Sequence, residues 1–188
     1  MTTAQIEREL HRVVYRKTFR HVLKSTVGGL ITAAAAAVLV AVLLLPVLQI
    51  YGKSMSPTLK EGDIVLSMKT GDFRTGDVVA FYYNNKVLVK RVIASSGAWV
   101  NITPYGTVYV DQVKVEEPYI TELAFGETNI ELPYQVPESK IFVMGYNRAV
   151  SIDSRNTAVG CVAEEQIVGK IIFRVWPLRE FGAIAPVM

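Results

Sequence analysis

A run of 28 residues without a charged side chain, from Ser25 to Gly52, constrains the fold of this chain more than any other feature. A helix of that length reaches roughly 42 Å, which exceeds the roughly 30 Å hydrocarbon core of a bilayer. A cleaved secretory signal has an apolar core of about 7–15 residues and small residues at its cleavage site. This run is far longer and ends in Leu48-Gln49-Ile50-Tyr51. The sequence therefore predicts an uncleaved transmembrane anchor over residues 25–50.

The charges on either side of this run predict its orientation. Residues 1–24 carry six Lys/Arg and two Glu, a net charge of +4, whereas the rest of the chain holds 14 Lys/Arg and 15 Asp/Glu. Basic residues next to a span stay in the cytoplasm. We therefore predict a basic cytoplasmic leader over 1–24 and an extracytoplasmic domain over 51–188. The overall charge of +3 belongs to the leader and gives no indication of nucleic-acid binding.

Short β segments separated by turns dominate the residues after the anchor. Segments rich in Val, Ile, Phe and Tyr predict strands, and Gly and Asn residues mark the turns between them. Residues 116–139 read as a looser excursion rather than a second domain. The sequence predicts a mainly β fold, with one transmembrane helix followed by an antiparallel β-sheet domain. The predicted strands are Asp63–Lys69, Asp77–Tyr83, Lys86–Ala94, Thr107–Val110, Lys140–Met144 and Gln166–Trp176.

Few residues of the exported part could hold a metal or form a histidine-based triad. Both histidines, His11 and His21, precede the anchor, so a Ser-His-Asp triad cannot form on its far side. Cys161 is the one cysteine of the chain, which excludes an internal disulfide and leaves few soft ligands for zinc. We therefore expect no metal, no cofactor and no thiol catalysis.

Ser54, directly after the anchor in Lys53-Ser54-Met55-Ser56-Pro57, is a candidate nucleophile. A serine hydroxyl needs a base, and without histidine that base must be a lysine or a carboxylate. Lys90 has the most apolar neighbours, and desolvation there would lower its pKa enough to leave some of it neutral. Arg91 would point to the opposite face of the strand. The same spacing also fits a lysine on an exposed strand face, and Ser56 is a second hydroxyl nearby.

A third polar segment runs from Gly145 to Arg155. Asp153 and Arg155 alternate with Ser154, so in an extended chain they share a face and could form an ion pair. Such a pair is usually structural.

Together these segments closely resemble bacterial signal peptidase I, the membrane-anchored Ser/Lys endopeptidase, in its compact Gram-positive form. Ser54–Leu59 is similar to the nucleophile box, and Gly76–Val79 with Val89–Val92 to the strand pair that carries the base. Gly145–Arg155 is similar to the box G-D-N-R-x-x-S-x-D-S-R, and Ile167–Lys170 to the strand after it.

The resemblance implies a role for each matching residue. Ser54 would be the nucleophile and Lys90 the general base. Ser151 would hydrogen-bond the Lys90 amine, and Asp153 and Arg155 would hold the active-site strands together. The Ser54 backbone N–H would donate to the oxyanion. Some family members add a serine hydroxyl two residues before the nucleophile, where this chain has Gly52.

The substrate pockets implied by the resemblance are apolar and shallow and would accept Ala-x-Ala before the cut. Tyr146 stands where the family usually has Asp, and Ala98 follows Gly97 where Gly-Asp is usual. These two departures concern loop geometry and substrate range. The implied pocket positions are Ile50, Met55, Leu59, Val65, Ala80 and Val89.

The resemblance implies removal of N-terminal signal peptides from exported precursors, at the lipid bilayer and in association with the secretion machinery. The alternative is a membrane-tethered relative with restricted or no proteolysis that serves as an assembly factor for surface structures such as pili. A self-cleaving Ser/Lys repressor shares the catalytic logic, but the anchor and the lack of a DNA-binding helix pair argue against it.

Overall fold

The computed structural model describes residues 3–184, and only the backbone of residues 3–11 and 13. The side chain of His11 and the charged side chains of residues 7–9 in the predicted leader lie outside the described residues. The chain divides into two compact units, Met1–Leu43 and Leu44–Met188.

The first unit is a single helix, α1 (Thr3–Leu44). It contains a stretch, Val14–Leu44, whose length of 31 residues and mean hydropathy of 2.5 suffice for a membrane span, and it is the one such helix among the described residues. Residues 3–24 of the predicted leader and residues 25–44 of the predicted anchor are therefore one continuous helix.

The helix ends earlier than the predicted anchor of residues 25–50. Pro46 lacks a backbone N–H and disfavours helical geometry at the residue before it, so helical structure stops at Leu44. Val47–Gln49, which the sequence assigns to the anchor, form the first β-strand.

Twelve strands are found in the described residues of the second unit, and two short 3₁₀ turns, Glu164–Gln166 and Leu178–Glu180, connect some of them. The strands are β1 (Val47–Gln49), β2 (Ile64–Met68), β3 (Val78–Tyr83), β4 (Lys86–Ala94), β5 (Trp99–Ile102), β6 (Val108–Val110), β7 (Val113–Lys114), β8 (Tyr134–Gln135), β9 (Lys140–Met144), β10 (Val162–Ala163), β11 (Ile167–Trp176) and β12 (Gly182–Ala183).

These strands form two antiparallel sheets. The larger has the order β1-β2-β11-β3-β4-β9-β10, with β12 beside β11, and the smaller has the order β7-β6-β5-β8. All six predicted strands are confirmed to within two residues at each end. The antiparallel fold class is confirmed as well. The sequence missed β1, β5 and the two-residue strands, which are too short to show a period.

The hairpin of β3 and β4 brings the candidate base to the middle of the larger sheet. The two strands pair from Val78 with Arg91 to Tyr83 with Lys86, across a turn in which Asn84 has a φ of +51°. Asparagine tolerates this left-handed geometry, which explains why Asn84-Asn85 closes the hairpin. Lys90 thus lies opposite Val79 of β3, one residue before the pairing of β4 with β9 begins at Arg91.

Candidate active site

Ser54 lies in a loop that follows β1 and returns to β2. Backbone bonds close this loop at its base, from Ile50 N to Asp63 O (2.8 Å) and from Gly62 N to Ile50 O (2.9 Å). Within the loop, Ser56 N donates to Lys53 O at 3.2 Å and Leu59 N to Met55 O at 2.9 Å. Leu59 and Met55 are buried, so the loop is anchored by its apolar residues and presents Ser54 at the surface of a groove.

The structure brings the two candidate catalytic side chains together. Lys90 Nζ donates a hydrogen bond to Ser54 Oγ at 2.6 Å. Lys90 is 3% exposed, so the exposed strand face that its spacing also allowed is excluded. Its partner is Ser54 and not Ser56. A hydroxyl and a buried amine within hydrogen-bond reach meet the geometric requirement for a nucleophile and its base.

The surroundings of Lys90 favour its neutral form. Desolvation by burial lowers the pKa of Lys90 from 10.5 to about 8. Asp153 opposes this shift and Arg155 reinforces it, both as smaller electrostatic effects. At pH 7.5 roughly a quarter of such a lysine is neutral, compared with about 0.1% at an ordinary pKa.

The segment after β9 packs directly against the nucleophile loop. Asn147 N donates to Ser54 O at 3.0 Å, and Ser151 N donates to Asn147 O at 2.9 Å. Gly145 passes so close that an added Cβ would lie 2.7 Å from Ser54 O and would also clash with the Ser151 hydroxyl. Only glycine permits this contact between the two catalytic segments.

The ion pair predicted between Asp153 and Arg155 is confirmed. Arg155 Nε lies 2.8 Å from Asp153 Oδ1, and both side chains are fully buried. Asp153 also accepts from Gly145 N at 2.9 Å, and Arg155 donates to the carbonyl oxygens of Phe125 and Arg148 at 2.8 and 3.0 Å. The pair thus links the segment from Gly145 to Arg155 with the chain at Phe125. Residues 145–155 form turns and not the extended chain assumed from the sequence.

Ser151 lies at the site but does not make the predicted bond. Its hydroxyl is buried and is the one buried side-chain polar atom of the described residues that has no hydrogen-bond partner. The expected hydrogen bond to the Lys90 amine is therefore not formed here, because Lys90 Nζ points to Ser54 Oγ instead. A buried hydroxyl without a partner costs free energy.

The residue after Lys90, Arg91, forms a cluster with two tyrosines that sequence patterns alone do not indicate. Arg91 donates to the Tyr146 hydroxyl and to Gly76 O, and its guanidinium lies 4.3 Å from the centre of the Tyr119 ring. Tyr146, which replaces the family's usual acid, thus serves Arg91 as a neutral acceptor. Arg91 and Lys90 are both buried and have different partners, Tyr146 and Ser54. That they point to opposite faces of the strand stays a prediction.

A second buried ion pair ties the excursion to the active-site segment. Arg148 donates to both carboxylate oxygens of Glu117, and both side chains are almost fully buried. Glu117 also accepts from the Tyr119 hydroxyl at 2.8 Å. Residues 117–125 therefore have no regular secondary structure, and the ion pair of Glu117 with Arg148 holds the start of this segment against the active-site segment. The pair Glu117 and Arg148 is 31 residues apart in sequence, and no local pattern points to it.

An apolar groove of about 770 Å³ opens beside the dyad. One wall is Val47–Met55 and the other is Lys86–Val89 of β4. In the described residues β9 pairs with β4 only at Arg91, Val92 and Ala94, so the earlier half of β4 has a free edge on this side. An extended peptide could add to that edge through main-chain bonds.

The predicted pocket residues form one cluster, but only part of it lines the groove. Ile50, Met55 and Val89 line the groove, whereas Leu59, Val65 and Ala80 do not and have no exposed surface. All but Val89 belong to one buried core cluster, and Val89 packs against that cluster. The groove-lining residues Ile50 and Met55 are thus part of the packed core.

Gly52 lines the groove with a φ of +80°. A side chain would meet no atom within 4 Å there, but its backbone conformation would be strained. The position of the missing serine hydroxyl is therefore open space.

The chain is similar to proteins of known activity. The model of the family described as signal peptidase, peptidase S26, matches residues 23–176. Signal peptidase IB of Staphylococcus aureus (strain N315) is 40% identical over 152 residues, which cover 70% of this chain and 78% of the relative. Thylakoidal processing peptidase 1, chloroplastic, of Arabidopsis thaliana is 36% identical over 141 residues, 66% of this chain and 40% of the relative.

A solved structure also resembles this one in part. It is a signal peptidase I from Enterococcus faecalis V583, with 26% sequence identity and a TM-score of 0.42. The match covers 53% of this chain and 96% of that chain.

Proposed function

The chain belongs to the signal peptidase family, peptidase S26, and we propose that it removes signal peptides as a membrane-anchored endopeptidase with a Ser54–Lys90 dyad. The observation that carries this proposal is the 2.6 Å contact between Ser54 Oγ and a buried Lys90 whose pKa is about 8. Membership of the family makes the chain a hydrolase acting on peptide bonds, with signal-peptide-bearing precursors as its substrates.

The dyad would act in two half-reactions. Neutral Lys90 takes the proton of the Ser54 hydroxyl as its Oγ attacks the scissile carbonyl carbon. The resulting ammonium then gives this proton to the departing amine of the mature protein, and the C–N bond breaks. The signal peptide stays on Ser54 as an ester. Lys90 next takes a proton from water as the hydroxide adds to the ester carbonyl. The bond between Ser54 Oγ and the acyl carbon then breaks, the Lys90 ammonium returns its proton to Ser54 Oγ, and the signal peptide leaves with a free carboxylate.

The backbone N–H of Ser54 would donate to the oxyanion that forms in each half-reaction. The space beside Gly52 leaves room for a second donor from substrate or water. Ser151 would serve as a partner of the Lys90 ammonium, since its buried hydroxyl is otherwise without one. Asp153 and Arg155 would hold the surrounding segments and take no part in bond making.

The chain would be a single-pass protein of the cell membrane. The Val14–Leu44 stretch would span the bilayer, and the basic side chains before it would keep the N-terminus in the cytoplasm. The peptidase unit would then be extracytoplasmic, where precursors emerge from the secretion machinery. The contact between Ser54 and Lys90 supports proteolysis over the alternative of an assembly factor with restricted or no proteolysis.

The pH dependence of cleavage tests the base. Since Lys90 must be neutral in the free enzyme, we expect kcat/KM to rise with pH along a limb whose midpoint lies near the Lys90 pKa of about 8. The measurement is cleavage of one precursor at low substrate concentration between pH 6 and 10. A flat profile, or a midpoint near 10, would contradict the desolvated base.

The groove predicts a preference for small residues at the first and third positions before the cut. Because its lining residues Ile50 and Met55 are packed into one core cluster with Leu59, Val65 and Ala80, we expect each added methylene to cost about 1–3 kcal/mol. Replacing Ala by Val at the first position should therefore reduce kcat/KM about tenfold or more, and Leu should reduce it further. Equal cleavage with Ala and Leu would contradict this pocket.

The experiment that tests the function is incubation of the full chain in detergent with a panel of precursors, followed by N-terminal sequencing of the products. A single cut after a small residue at the end of the signal peptide supports the proposal. Intact precursors would refute it.

A further inference from the structure

We propose that the crevice between the nucleophile loop and residues 121–124 binds the first residues of the mature protein, and that Glu122 makes it favour basic over acidic residues. The crevice has a volume of about 220 Å³ and is lined by residues that include Ser56, Thr121, Glu122, Tyr146 and Asn147. This inference rests on the proposed function, because it concerns the leaving-group side of the same cleavage.

The pairing of β4 decides where the substrate must leave the sheet. The free edge of β4 runs from Lys86 to Val89 and lies in the groove that would hold the residues before the cut. From Arg91 onward this edge is occupied, since Arg91 pairs with Met144 of β9. A peptide strand added to β4 therefore cannot continue past the dyad, and the residues after the scissile bond must turn away from the sheet.

The place where they turn is the end of β9. That strand stops at Met144, and the chain continues through Gly145 into Tyr146 and Asn147, which line the crevice. Asn147 N bonds to the carbonyl of Ser54, so the crevice begins directly beside the nucleophile. Ser54 and Met55 line the apolar groove, whereas the next residue, Ser56, lines the crevice. Consecutive residues of the nucleophile loop therefore line the groove and then the crevice, as the two halves of a bound substrate require.

The chemistry of the crevice differs from that of the groove. Its described lining carries hydroxyl groups from Ser56 and Thr121, the amide of Asn147 and the carboxylate of Glu122. Arg148 also lines it, but this side chain is buried and paired with Glu117. Glu122 is exposed and supplies the negative charge that a peptide would meet there. The crevice thus suits short polar or basic side chains and disfavours a second carboxylate.

The test compares three precursors that differ only at the second residue after the cut, which is Lys, Gln or Glu. An exposed charge pair contributes about 0.2–1 kcal/mol, so the full chain in detergent should cleave the Lys precursor about 1.5- to 5-fold faster than the Glu precursor, by kcat/KM at low salt. Glu122→Gln should reduce this ratio to about one, and Glu122→Lys should invert it. Raising the salt to about 0.5 M should weaken the preference, because exposed charges are screened.

Glu127→Gln is the matched control, since Glu127 is an exposed acid of the same excursion that does not line the crevice. It should keep the wild-type ratio. The inference is overturned if the wild-type chain shows no charge preference, if Glu122→Gln keeps it, or if both variants reduce it equally. In each of these outcomes the precursors are still cleaved. If none of the three precursors is cut, the proposed function fails, and this inference fails with it.

Discussion

Ser54→Ala and Lys90→Ala should each lower kcat/KM for precursor cleavage by about 10³-fold or more. Ser54 Oγ and Lys90 Nζ share one hydrogen bond, and removing either half of a nucleophile–base unit costs nearly as much as removing both. The double variant should therefore be no slower than the single variants. Lys90→Arg should be as inactive as Lys90→Ala, since a guanidinium stays charged at any working pH. The measurement is single-turnover cleavage by the full chain in detergent.

The fold of these variants provides the control. Lys90 is buried among apolar side chains, so Lys90→Met should keep or raise the melting temperature while it abolishes cleavage. Ser151→Ala should keep part of the activity, because its hydroxyl contacts neither reacting atom in this state. Appreciable turnover by Lys90→Arg would refute the base, and unfolding of every dyad variant would show that the loss of activity is structural.

The sequence was sufficient for those parts of the fold that depend on local patterns. The segments Lys86–Ala94 and Lys140–Met144 are rich in Val, Ile and Phe, and this composition predicted strands whose bounds match β4 and β9. The end of the helix was misplaced, because hydropathy continues past Pro46 whereas the backbone hydrogen bonding does not. Apolar composition alone cannot distinguish a membrane span from the edge strand that follows it.

The pairing of Ser54 with Lys90 could be predicted because Lys90 has the most apolar neighbours among the lysines and because both segments resemble those of a known family. The supports around it could not be predicted from spacing. Glu117 lies in an excursion without regular structure, and only the fold brings its carboxylate to Arg148. Tyr146 was an unexplained departure in the sequence, and its role follows from the contacts of its hydroxyl with Arg91. Long-range pairs of this kind have no local signature.

The buried pair of Asp153 and Arg155 should be the most sensitive structural element of the site. Arg155 places a full positive charge where no solvent reaches, and it is compensated by Asp153 and by backbone carbonyl groups. The contribution of this buried pair to stability therefore cannot be judged from the small values measured for exposed salt bridges. Removing one partner leaves the other charge buried and unpaired, which typically costs 3–5 kcal/mol, whereas replacing both by apolar groups is often close to neutral.

Arg155→Met should therefore destabilise the chain by about 3–5 kcal/mol, which corresponds to a fall in melting temperature of roughly 10 °C. Asp153→Asn should do the same, because Arg155 would then be buried without its carboxylate, and the double variant should recover part of the loss. The measurement is thermal unfolding of the full chain in detergent for all four members of this cycle. Since Asp153 raises the Lys90 pKa and Arg155 lowers it, Arg155→Met should also shift the pH midpoint of kcat/KM upward and Asp153→Asn should shift it downward. If the free energy of unfolding of each single variant lies within about 1 kcal/mol of the wild-type value, the pair does not hold the segments around Ser54. If the pH midpoints of the two variants move in the same direction, the pair does not tune the pKa of Lys90.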